Sequence, residues 1–130
     1  MKIVTRLAVT WAALALAAAA PASAETLGDL AGKTHYHGIS FARSGSAALL
    51  LATHHGMFAL DKSGSATQVS PVHDFMGFSP DPSNPLTYFS SGHPAGGGNS
   101  GFLKSTDGVA TWKQISPGAG GPVDFHAMDV

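Results

Sequence analysis

No cysteine occurs anywhere in the 130 residues. No disulfide can therefore staple the fold, and its stability must come from core burial alone. Basic charge is scarce as well. Beyond residue 24 five Lys and Arg stand against eight Asp and Glu, a net charge of about −3. That balance argues against a nucleic-acid backbone or an anionic membrane surface as a partner. Glu25 is the sole glutamate, and Arg43 the sole arginine beyond residue 24. No long segment carries a helical period, so strands are expected throughout.

The N-terminus reads as a leader. Lys2 and Arg6 flank the start of an apolar run from Leu7 to Ala20, Pro21 breaks it, and Ala22-Ser23-Ala24 offers small residues for cleavage. This is the pattern of a secretory signal peptide over residues 1–24, and the run is short for a membrane span. The product is expected to be periplasmic or secreted, to start at Glu25, and to have no membrane partner after cleavage. No cysteine follows the cleavage site, which excludes a lipoprotein anchor. About 106 residues remain, room for one small domain.

Three segments are imperfect copies of one another. His35-Tyr36-His37-Gly38-Ile39-Ser40, Asp74-Phe75-Met76-Gly77-Phe78-Ser79 and Asp124-Phe125-His126-Ala127-Met128-Asp129 start 39 and 50 residues apart. A period in that range indicates a repeat architecture. The first two copies align without a gap through His54 and His93, and the extra length of the second lies in the glycine-rich loop 94–100. That loop lacks the Lys-Ser/Thr and following helix of a phosphate cradle, so it reads as a flexible connection.

After a lead-in over 25–34 with one helical turn, the first unit (35–73) is expected to hold strands at 37–41, 48–53, 56–60 and 66–69. The second (74–123) is expected to hold strands at 76–78, 86–91, 101–104 and 111–116, with turns at the Gly, Pro, Asp and Ser clusters between them. Four short strands per unit, repeated, is the pattern of propeller blades. The fold class is therefore all-β, a partial β-propeller of two four-stranded antiparallel blades. Residues 124–130 would open a third, and the chain is read as an N-terminal fragment. In such blades the start of the first strand and the end of the second share one face, and the first-to-second and third-to-fourth turns share the other.

Ser105-Thr106-Asp107-Gly108-Val109-Ala110-Thr111-Trp112 follows the Asp-box pattern Ser/Thr-x-Asp-x-Gly-x-Thr-Trp at Ser105, Asp107, Thr111 and Trp112, with Val109 in place of the glycine. Asp107 can accept backbone N–H bonds across the turn while Trp112 packs into the blade. The first unit has a degenerate counterpart at Leu60-Asp61-Lys62-Ser63-Gly64. With this box and the runs Ala52-Thr53-His54-His55-Gly56, Asp74-Phe75-Met76-Gly77-Phe78 and Ser91-Gly92-His93-Pro94, the chain resembles BNR/Asp-box β-propeller proteins. The nearest group in character is the secreted bacterial one labelled glycosyl hydrolase-like or exo-sialidase-like. The resemblance covers residues 35–130 and implies a structural role for the Asp-box, on the rim away from the ligand face.

Seven histidines invite a metal reading. His35, His37, His54, His93 and His126 map to one face, with Asp74 and Asp124 beside them, as candidates for lining a ligand site. His37, His54, His93 and His126 are the candidate ligands for zinc or copper; the competing reading is that these residues bond blade to blade. His55 and His73 fall outside the alignment and read as loop residues. Tyr36, Phe75 and Phe125 read as inter-blade core, with sugar stacking as the alternative. A sialidase-like site needs several arginines around the substrate carboxylate and a tyrosine nucleophile. Arg43 belongs to a turn on the opposite face, and no catalytic set is complete. Three functions stay open: a non-catalytic scaffold binding a carbohydrate or protein ligand, the first part of a glycoside hydrolase, or a periplasmic metal-binding protein. Blade edges left unpaired offer routes to self-association.

Overall fold

Short aliphatic and β-branched runs between glycine- and serine-rich turns build a mostly β structure, described here for residues 24–130 of a computed structural model. Except for Ala24, the expected leader lies outside the described residues. The elements run β1 (Glu25–Thr26), α1 (Leu27–Ala31), β2 (Tyr36–Phe41), β3 (Leu49–Thr53), β4 (Gly56–Leu60), β5 (Ser65–Gln68), β6 (Asp74–Pro80), β7 (Tyr88–His93), β8 (Phe102–Ser105) and β9 (Lys113–Ser116). They form two antiparallel sheets, ordered β1-β5-β4-β3-β2 and β6-β7-β8-β9, and neither closes on itself.

The lead-in does more than expected. Thr26 and Asp29 form a reciprocal capping box at the start of α1, with Asp29 N–H donating to Thr26 Oγ1 at 3.1 Å. Glu25 and Thr26 pair with Ala66 and Ser65, so the first sheet gains a fifth strand at its outer edge. Two residues carry no readable strand pattern, which is why the sequence does not announce β1.

Alternation along β3 and β4 sorts their side chains onto two faces. Leu50, Ala52 and Met57 meet Phe75, Tyr88, Leu103 and Val109 in the core between the sheets. Leu51, Phe58 and Leu60 point the other way, onto Leu30 of α1 and Ala66. Burying a side chain of this size contributes about 1.5–3 kcal/mol.

The inner strands approach closely where the repeat carries a small residue. A Cβ on Gly38 would lie 2.6 Å from Phe78 Cβ, and one on Gly77 would lie 3.3 Å from Met128 Cβ and 2.4 Å from the Phe125 carbonyl oxygen. Phe78 and Met128 hold the same place in their repeat copies, so each copy leaves room for the next. The third copy nevertheless forms no strand: residues 124–130 are without strand pairing. Their link to β6 is a backbone bond from Gly77 N–H to Phe125 O at 2.7 Å. One such bond, at the point where the β6–β7 register shifts, does not make a ladder.

The aromatic residues of the three copies diverge. Phe75 is core, whereas Tyr36 and Phe125 are about 40% exposed. Tyr36 spends its hydroxyl on the Leu27 carbonyl at 3.0 Å, and Phe125 stands edge-on to Phe102. Only Phe75 has a sheet on either side of it.

A candidate metal centre at the histidine end

Strand ends, rather than strand middles, position the polar residues. The β3–β4 connection is the pair His54-His55, held by Thr53, whose Oγ1 accepts from His55 N–H at 3.0 Å and donates to Gly56 O at 2.9 Å. This tight turn leaves His54 over the start of β6. There His54 Nδ1 lies 2.7 Å from Asp74 Oδ1. A carboxylate accepts only, so a neutral His54 without an ion holds its proton on Nδ1, and an ion that took His54 and Asp74 together as ligands would displace that proton.

Two further imidazoles converge on that ring. His35 Nδ1 is 3.3 Å from His54 Nε2. His37 Nε2 lies 3.1 Å from His54 Nε2 and 3.3 Å from its Nδ1, with the two rings crossing at 75°. Nearly equidistant from both nitrogens, His37 Nε2 is not in line with the lone pair of His54 Nε2. One ligand atom each from His37, His54 and Asp74 fall within 4.8 Å of one another, a group that could bind a metal ion. Burial, and then the neighbouring His54, hold His37 below the ordinary imidazole pKa, so it is neutral and ligand-ready near pH 7.

The other candidates gather around a second aspartate. His93 Nε2 and His126 Nε2 lie 3.1 and 2.6 Å from the same oxygen, Asp124 Oδ2. His93 Nδ1 is 2.9 Å from Gly98 O, and that carbonyl, with the Asp124 and Asp74 charges, raises the His93 pKa against its partial desolvation. Asp74 and His93 are register partners across β6 and β7. Gly92 makes this possible: a Cβ there would lie 1.8 Å from Asp74 O, so no other residue fits. The four histidines expected to act as one ligand set thus divide into two pairs, each around its own aspartate.

His73 and Ser100 were not singled out by the repeat alignment. His73 is half-buried against Phe75, its Nε2 2.8 Å from Ser100 Oγ, and burial lowers its pKa. The signal that could have found it is its place beside Asp74. His55 is an exposed turn residue.

The turn at 105–112, between β8 and β9, sits apart from the histidines. Asp107 Oδ1 accepts from Ser105 Oγ at 2.8 Å and Thr111 N–H at 2.9 Å, and its other oxygen takes the Thr111 hydroxyl. Trp112 Nε1–H donates to Val109 O at 3.1 Å while its ring packs on Phe75 at 5.0 Å. Asp61 caps the equivalent β4–β5 turn, accepting from Ser63 and Ser65 N–H. Arg43, in the β2–β3 turn, donates to the Asp81 and Pro82 carbonyls. Comparison with protein-family models, curated proteins and solved structures gives no match.

Proposed function

We propose that this chain is a segment of an exported Asp-box β-propeller that serves as a non-catalytic binding scaffold, with a divalent transition metal, zinc or copper, held at its histidine end. The observation that carries this reading is the convergence of His37, His54 and Asp74 within 4.8 Å. Two imidazoles and a carboxylate suit a borderline-soft ion, and an ion there would replace the crowded contact of His37 on His54 with two metal–nitrogen bonds of about 2.0–2.1 Å. The propeller reading draws support from the sheet order, from the paired approaches of Gly38 to Phe78 and Gly77 to Met128, and from the like capping of two equivalent turns by Asp61 and Asp107.

Calorimetric titration with zinc and with copper at pH 7.5 tests it. The expected result is a binding event in the wild type that is lost in the His37→Ala, His54→Ala double variant. Heats identical in the two proteins would remove the centre.

A further inference from the structure

An apolar groove adjoins the histidine end. It runs between the start of α1 and the outer face of the first sheet, with a volume of about 320 Å³ and walls that include Leu27, His37, Ile39, Leu49, Leu51 and Leu60. That is the small end of the range for ligand pockets, roughly 300–1,000 Å³. No Asp, Glu, Lys or Arg is among the described residues that line it. The Tyr36 hydroxyl, also in the wall, is taken by the Leu27 carbonyl at 3.0 Å. His37 is the other polar side chain there, and it is shared: it lines the groove and belongs to the group of His37, His54 and Asp74. We propose that the groove binds a small free monocarboxylic acid, its apolar chain along the leucines and its carboxylate on the ion held at His37. This rests on the metal reading above and names the ligand of that centre.

Coordination and charge both call for an outside anion. The described residues bring three donors within mutual reach, and a tetrahedral ion with three protein ligands keeps its fourth position for an exogenous one. His54 and Asp74 are half-buried rather than enclosed, so that position has access. Two neutral imidazoles and one carboxylate leave a divalent ion with one unit of positive charge, which a single carboxylate neutralises. The uncharged wall beyond it has no partner for a second charged group, so a dicarboxylate or an amino acid would bury a charge unpaired. The floor is already formed: Leu51 and Leu60 are buried and braced by Leu30. Ile39 and Leu27 are exposed, and an apolar chain laid over them would remove their surface from water.

The test loads the full chain with copper(II), reads nitrogen ligation by electron paramagnetic resonance, and titrates acetate, butanoate and hexanoate. The protein is kept at concentrations where light scattering shows a monomer. All three acids should shift the visible copper band, and affinity should rise about two- to fourfold per methylene. Ile39→Ser should weaken hexanoate several-fold and leave acetate unchanged. Leu27→Ser takes its place if far-UV circular dichroism shows that variant unfolded. Nitrogen-ligated copper whose band no acid moves overturns the proposal and leaves the metal centre standing. Equal affinities for acetate and hexanoate overturn it too, as does hexanoate binding undiminished in a folded groove variant. Copper without nitrogen ligation overturns the centre and this site together.

Discussion

His54 is the residue on which the metal centre turns, because its ring meets every partner there, Asp74 at 2.7 Å from Nδ1 and His37 and His35 at 3.1 and 3.3 Å from Nε2. Asp74→Asn removes the acceptor charge but keeps the shape. Zinc affinity is expected to fall about 10–100-fold, measured by competition with a chromophoric chelator; an unchanged affinity would detach Asp74 from the site. His37 gives a pH signature. Its folded pKa is lowered, so the unfolded chain takes up the proton first and stability falls as pH drops through the ordinary imidazole value near 6.5. His93 has the opposite sign: its raised pKa contributes stability at low pH, lost as pH rises through the folded value. Urea midpoints from pH 5 to 8 should therefore show a steeper acid-side loss in the wild type than in His37→Asn. Equal slopes would mean that His37 is not desolvated. The aligned motifs were enough to bring five histidines and two aspartates to one end. Which histidine meets which aspartate was not legible, since that depends on how one sheet follows the next. His73 was missed because its neighbour Ser100 belongs to the inserted loop, which has no counterpart in the first copy.

At the scale of the element, the β8–β9 turn carries a conflict and its resolution. Val109 stands there with φ 74°, a conformation that costs a β-branched residue about 1–3 kcal/mol. Complete burial of its side chain in the core offsets that strain, and Ser105 Oγ takes its N–H at 3.0 Å. Val109→Gly should consequently be at least as stable as Val109→Ala, reversing the usual order, because only glycine relieves the backbone. Urea denaturation of both variants checks this; a clearly more stable alanine variant would show that the strain is small. Asp107→Ala removes the cap and should cost about 1–2 kcal/mol, tempered by exposure of the carboxylate. Its lowered pKa places that contribution above the unfolded value, with loss as pH falls through the folded one. Most strands could be read from alternation and turn residues. The departures have local causes: β1 is too short to show a pattern, and β9 starts at Lys113 because Thr111 and Trp112 are held in the turn by Asp107 and the Val109 carbonyl.

At the scale of the whole molecule, the two sheets bury one face against each other and leave apolar groups on their outer sides. Ile39 and Phe41 on edge strand β2 are 65% and 79% exposed. Such edges and faces are pairing templates. Light scattering after size exclusion should show concentration-dependent association, reduced by Ile39→Lys with Phe41→Lys; a monodisperse monomer at all concentrations would contradict this. The central claim concerns the metal, and zinc K-edge X-ray absorption on the loaded protein tests it most directly. The account predicts a shell of imidazole nitrogen and carboxylate oxygen at about 2.0–2.1 Å, with outer-ring imidazole scattering that weakens in His37→Ala with His54→Ala. A shell of oxygen alone, without imidazole scattering, would contradict it.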